Sequence, residues 1–325
     1  MDRRTFVGGI AGGLLASPLA AVAQQLPEMR RIGSLSAGSA ILALRAVLTE
    51  SLANFGWIEG TNIVVERRYA ENRLEHLPEL AEELVRLKPD VIVAGGTLAP
   101  LALKRATATI PIVLLNAGSP VQSGLVTSLA RPGGNITGLT LYAPELAGKR
   151  LQLLKEILPV ISRVAVVWNA ANPDPAVIFK ETKKAGLTLG IEILSVEMRD
   201  PADVVSALES VTRQRADALI TIDDPLTIDQ RNYIVEFTSR NRLPSMYGLR
   251  QFADAGGLIA YGANLADLQR RAAGYVDKIL RGAKPGDLPI QQPTKFELII
   301  NLKTAKALGL TIPQSVLLRA DEVIQ

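Results

Sequence analysis

Asp223-Asp224-Pro225 puts two carboxylates side by side directly after the apolar run from Asp217 to Ile222. Adjacent acids beyond a strand end can neutralise a ligand ammonium group, contribute to a metal site, or cap the helix that a proline opens. Asn169-Ala170-Ala171-Asn172-Pro173 offers two carboxamides in a similar setting. Gly95-Gly96-Thr97 offers backbone amides that a ligand can approach closely, although Thr97 also reads as the N-cap of a plain strand-to-helix turn. Ser36-Ala37-Gly38 and Asn116 to Ser119 are short polar loops after β-type runs, and Tyr142 and Tyr247 complete the candidate contacts. Groups of this kind recognise small polar molecules rather than transform them.

Catalytic chemistry has little to work with. The chain has no cysteine, and its single histidine, His76, lies between Glu75 and Glu79 at a helix start, where a surface role is the simpler reading. No serine occupies a nucleophile elbow or an S-x-x-K setting, and neither a G-x-G-x-x-G nor a Walker loop follows any strand. Asp223 and Asp224 lack enough neighbouring oxygen or nitrogen ligands for a metal, so no metal and no cofactor are expected.

These loops need strands to hold them, and the strands repeat. β-type runs fall at Arg31–Leu35, Asn62–Glu66, Asp90–Ala94 and Pro111–Leu115, then again at Arg163–Trp168, Glu192–Val196, Asp217–Ile222 and Pro244–Tyr247. Helix-length segments with 3.6-residue apolar spacing separate them, which is the pattern of successive βαβ units building parallel sheets. Two such series predict two α/β lobes with a groove at the carboxyl ends of their strands. Helices are expected at about 41–54, 77–87, 121–130 and 146–158, the last with Lys149, Arg150 and Lys155 on its polar side. Arg131-Pro132-Gly133-Gly134-Asn135 must turn the chain, and the following strand leads into the second lobe. Gly256 to Gly262 and Leu288 to Pro293 read as two further crossings, making a hinge of three. At the head of the second-lobe groove Asp223 is expected to face the ligand, with Asp224 capping the next helix. Trp168 reads as core packing more readily than as a stacking platform.

Residues 1–23 read as an export address. Arg3-Arg4-Thr5-Phe6 precedes an uncharged Gly- and Ala-rich run ending in Ala21-Val22-Ala23, a pattern like a twin-arginine signal peptide with a cleavage site. No other stretch approaches the ~18 uninterrupted apolar residues of a membrane span. The net charge of +4 comes without a block of like charge, which argues against a nucleic-acid partner.

Gly56-Trp57-Ile58-Glu59-Gly60-Thr61-Asn62, Leu129-Ala130-Arg131-Pro132-Gly133-Gly134-Asn135-Ile136-Thr137-Gly138, Glu145-Leu146-Ala147-Gly148-Lys149-Arg150, Asn169-Ala170-Ala171-Asn172-Pro173 and Gln292-Pro293-Thr294-Lys295-Phe296-Glu297, in that order, resemble the ABC transporter substrate-binding proteins of the tryptophan-transporter type. The resemblance covers nearly all of the chain beyond the signal. It implies a type I periplasmic binding fold, two Rossmann-like lobes with parallel sheets joined by a three-stranded hinge. It also implies capture of a small solute, an amino acid or related metabolite, and its delivery to an inner-membrane permease and ATPase. The family commonly has an acid before the proline matching Pro120; Ser119 stands there here. Lobe 1 is then expected at 28–139 with 262–290, and lobe 2 at 140–261 with 291–325, in a monomeric periplasmic protein. A ligand sensor signalling to a membrane receptor and an exported α/β enzyme are the alternatives.

Overall fold

The computed structural model describes residues 29–40, 42–141 and 145–325, so the export address and Tyr142 lie outside it. The first half runs β1 (Arg30–Ser36), α1 (Leu42–Asn54), β2 (Ile63–Tyr69), α2 (Leu77–Arg86), β3 (Val91–Gly95), α3 (Leu98–Ala106), β4 (Ile112–Ala117) and β5 (Ile136–Thr140). Its five strands form one parallel sheet in the order β2-β1-β3-β4-β5. β3 is buried over Val91–Ala94 without polar alternation, as expected of a parallel strand covered by helices on both faces.

The second half begins with α4 (Glu145–Ile157), β6 (Arg163–Asn169), α5 (Pro173–Leu189) and β7 (Glu192–Met198). It continues through α6 (Val204–Arg213), β8 (Ala218–Thr221), α7 (Pro225–Asp229), α8 (Arg231–Arg240), β9 (Ser245–Tyr247), α9 (Arg250–Asp254) and β10 (Ile259–Ala263). After α10 (Leu265–Leu280) come β11 (Phe296–Asn301), α11 (Leu302–Ala307), α12 (Gln314–Leu317) and β12 (Glu322–Ile324). The second sheet has the order β12-β11-β10-β9-β8-β6-β7, in which β10 and β11 pair antiparallel. Its portion β7-β6-β8-β9-β10 repeats the strand order of the first sheet, the internal symmetry that the sequence repeat implies.

The chain passes between the sheets three times. It leaves β5 for α4, and it returns from β10 into α10, which packs on α1 and on β3, β4 and β5. It then crosses once more beyond Gln291, whose backbone pairs with Gly138 and Thr140, to enter β11. In both sheets the strand order reverses between the first and third strands of the series, and the carboxyl ends there face one cleft.

The helix expected over 121–130 does not form. Residues 120–124 are hydrogen-bonded turns, with Ser123 N–H donating to Ser119 and Gly124 N–H to Val121, and Gly124 takes φ +73°. A left-handed residue ends any helix, and Leu125 and Val126 reach the core from the turn instead. Gly133 and Gly134, at φ +64° and +61°, make the reversal that the sequence requires before β5.

Candidate functional site

The cleft wall from the first sheet is built by Gly96, Thr97, Asn116 and Gly118, which follow β3 or end β4. The opposite wall comes from α4 (Leu146, Ala147, Arg150), the start of α5 (Asn172, Asp174, Pro175) and the β8–α7 junction (Asp223, Asp224, Pro225). Together they enclose a cavity of about 50 Å³.

Its most polar feature is an ion pair. Arg150 Nη2 donates to Asp223 Oδ2 at 2.8 Å and Arg150 Nε donates to the Tyr261 carbonyl at 2.8 Å. Their side chains are only 6% and 8% exposed. Asp223 Oδ1 is buried and has no hydrogen-bond partner among the described residues. A carboxylate oxygen so placed is costly to leave unmet, so it marks a position where a donor belongs. Arg150 does not join Lys149 and Lys155 on a solvated face. It stands four residues after Leu146, and that spacing turns it to the same inward side of α4. Gly248 makes room for the pair, because a Cβ there would collide with both the Asp223 carboxylate and the Arg150 guanidinium.

Asp224, its neighbour, does different work. It caps α7, accepting from Leu226 N–H at 2.9 Å while Thr227 Oγ1 accepts from its own N–H at 3.1 Å. Its carboxylate also receives Asn169 Nδ2 at 2.8 Å and Asn172 Nδ2 at 2.7 Å. Burial raises its pKa, and these donors pull it part of the way back. Both asparagine side chains therefore act first on Asp224. Asn172 still borders the cleft, whereas Asn169, 3% exposed, lines a small side cavity with Ala37.

The lobes touch across the cleft through two aspartates that the sequence did not single out. Asp174, in the first turn of α5, accepts the Thr97 hydroxyl, and Gly118 N–H donates to the same Thr97 oxygen at 3.0 Å. Burial raises the Asp174 pKa, and the Thr97 hydroxyl together with the nearby Ser119 and Gly118 amides opposes the shift. Asp229 Oδ2 accepts Ser39 N–H at 2.8 Å and Asn72 Nδ2 at 2.7 Å. The structure is thus a closed one. The sequence signal for Asp174 was Asn172-Pro173-Asp174-Pro175, an N-cap with an acid in the first turn, which reads as helix chemistry until the other lobe arrives.

The remaining candidates divide. Thr97, Gly96 and Asn116 line the cleft, with Gly96 N–H held by Asn116 Oδ1 at 2.7 Å. The Ser119 backbone amide helps lower the Asp174 pKa, and Gly38 packs against Pro225 across the interface. Ser36 lines a neighbouring cavity in the first lobe. Tyr247 is a correction: it is fully buried, stacks on Phe252 with centroids 4.5 Å apart, and shares a hydrogen bond of 3.2 Å with Thr238. All three residues of β9 are buried, and this ring packs into the core. Trp168 likewise stacks on Phe179 and donates to Ser195 Oγ at 2.9 Å. Among the described residues no group of three or more His, Cys, Asp or Glu side chains could hold a metal ion.

Two lobes, matched strand orders and a polar cleft at the strand ends describe a two-lobed binding protein, and comparison with known proteins agrees. A tyrosine-binding protein of Clostridioides difficile (strain R20291) is 26% identical over 261 residues, covering 80% of this chain and 75% of that one. A conserved domain protein from Vibrio cholerae O1 biovar El Tor is similar in structure with TM-score 0.87 and 28% identity, over 91% of this chain and 100% of the other. An ABC domain from Streptococcus pneumonia, solved in complex with L-Trp, has TM-score 0.85 and 24% identity over the same shares. A family model described as ABC transporter substrate binding protein matches residues 33–324, and the chain belongs to that family.

Proposed function

We propose that this protein captures a free α-amino acid in the cleft and presents it to an inner-membrane permease and ATPase. The observation that carries the reading is the buried Arg150–Asp223 pair with its unmet Asp223 Oδ1. An α-ammonium group donates to that oxygen, while Arg150 faces the α-carboxylate, so the two ends of a zwitterion meet complementary charge. The relative named for tyrosine and the neighbour holding L-Trp support the same ligand class.

The moving bodies are 28–139 with 262–290 and 140–261 with 291–325, bending at the three crossings. Closure is favoured by contacts that exist only when the lobes meet, those of Asp174 and Asp229 and those of the ligand with both walls. No step of this reading makes or breaks a bond in the solute. The protein acts as a monomer in the periplasm after loss of the leader at 1–23, and replacing Arg3 and Arg4 by Lys should hold the precursor in the cytoplasm if the twin-arginine route is used.

Calorimetric titration with L-amino acids, their N-acetyl derivatives and their amides is the direct test. Binding of the free amino acid with loss of at least roughly 10-fold on blocking either end is expected, because each block removes one charged hydrogen bond. Equal affinity for the blocked compounds would refute the zwitterion reading.

A further inference from the structure

A second cavity, of about 120 Å³, lies in the first lobe beside the cleft. Leu48, Leu52, Val65 and Val93 give it apolar walls, Ser34, Thr49 and Tyr69 add hydroxyl groups, and α10 adds Gln269. We propose that this cavity is the side-chain pocket of the amino-acid site, and that it takes a single aromatic ring carrying a hydroxyl, a phenol. The assignment rests on the amino-acid reading above and names the side chain which that reading leaves open.

Continuity comes first. Asn116 borders both cavities, and the consecutive residues Gly95 and Gly96 line the side pocket and the cleft respectively. A ligand with its charged end at Asp223 therefore has the pocket mouth on the facing wall. Size comes next. An apolar cavity of about 150 Å³ is known to take benzene, so this one suits one six-membered ring and is small for an indole.

Gln269 supplies the chemistry. It stands in the buried row of α10 beside Leu265, Leu268, Ala272 and Ala273, where a hydrophobe would pack without difficulty. It is 9% exposed, and its Oε1 is buried with no hydrogen-bond partner among the described residues. A plain phenyl ring entering the pocket would leave that oxygen unmet, whereas a phenolic hydroxyl donates to it. Two arginines also border the pocket: Arg67 is held by Glu59 at 2.6 and 2.7 Å, which meets its charge within the protein, and Arg45 is exposed to solvent.

The test is calorimetric titration of wild type, Gln269→Leu and Leu48→Trp with L-tyrosine, L-phenylalanine and L-tryptophan. Wild type should prefer L-tyrosine to L-phenylalanine by roughly 10-fold or more, since a site built for a hydroxyl rejects the analogue lacking it. Gln269→Leu should bring the two within about 2-fold by weakening L-tyrosine alone, a change that a purely structural residue would not produce. Its melting temperature should not fall, because the substitution removes an unmet buried acceptor. Leu48→Trp, at a half-buried helix position, fills the pocket and should weaken L-tyrosine by at least roughly 10-fold. An unchanged tyrosine-to-phenylalanine ratio in Gln269→Leu, tight tyrosine binding by Leu48→Trp, or a wild-type preference for L-tryptophan overturns the pocket and leaves the amino-acid reading standing. Failure of every free amino acid to bind wild type overturns both.

Discussion

Replacing Asp223 by Asn tests the cleft most directly. Both carboxylate oxygens are in demand: Oδ2 holds Arg150 at 2.8 Å, and Oδ1 is the buried oxygen assigned to the ligand ammonium. An amide has one acceptor, so Asn can satisfy either Arg150 or the ligand but not both. If Arg150 keeps the acceptor, the ammonium meets an NH2 group and loses a charged hydrogen bond of about 1.5–3 kcal/mol, which is roughly 10- to 150-fold in affinity. The sequence alone placed Asp223 as a ligand contact without a structural duty, and the structure changes the expected stability. With Arg150 only 6% exposed, weakening the pair leaves a buried cation poorly compensated. Losing a buried pair outright costs about 3–5 kcal/mol, and an Asn that still accepts one bond should cost less, on the order of 1–3 kcal/mol. The melting temperature should fall by several degrees. Titration with the bound amino acid, together with differential scanning calorimetry, separates the two effects. A variant with a lowered melting temperature and wild-type affinity would refute the reasoning, because Asp223 would then serve Arg150 alone.

Asp174 has a raised pKa in the closed structure, so the folded state holds its proton at pH values where the unfolded chain has lost it. Its contribution is present in full below the ordinary aspartate pKa and is lost as pH rises through the raised value, so the stability of wild type relative to Asp174→Asn should grow on acidification from neutral pH. Urea titrations at several pH values check the sign, and a difference that shrinks on acidification contradicts the burial argument. Gly133→Ala and Gly134→Ala should each cost about 1 kcal/mol in chemical denaturation, because both sites have positive φ and an added Cβ meets no neighbour within 4 Å. Tyr247→Phe should lower stability by about 1 kcal/mol through the lost Thr238 contact and leave affinity unchanged, and any loss of affinity in calorimetry would return this residue to the site.

Local chemistry in the sequence determined most of the frame. Apolar runs of strand length, amphipathic segments between them and a second series of the same kind led to two parallel sheets, since strand and helix periods are properties of consecutive residues. Asp224-Pro225 announced an N-cap, and Arg131 to Asn135 announced a turn, because each depends on a few adjacent side chains. The apolar spacing of 121–130 misled in the same local terms: Leu125 and Val126 are buried, but Gly124 places them there from a turn.

Which polar groups face one another was decided only in three dimensions. Arg150 and Asp223 are 73 residues apart, and Thr97 and Asp174 are 77 apart. Nothing in either local sequence distinguishes a solvated helix arginine from one buried beside a carboxylate, or a helix-start aspartate from one that latches two lobes. Tyr247 at a strand end left its expected place for the same reason, and Gln269 is buried in an apolar helix row. The strand's length and the helix's docking set which side of the sheet each side chain enters, and those are fixed by the packing of the whole chain.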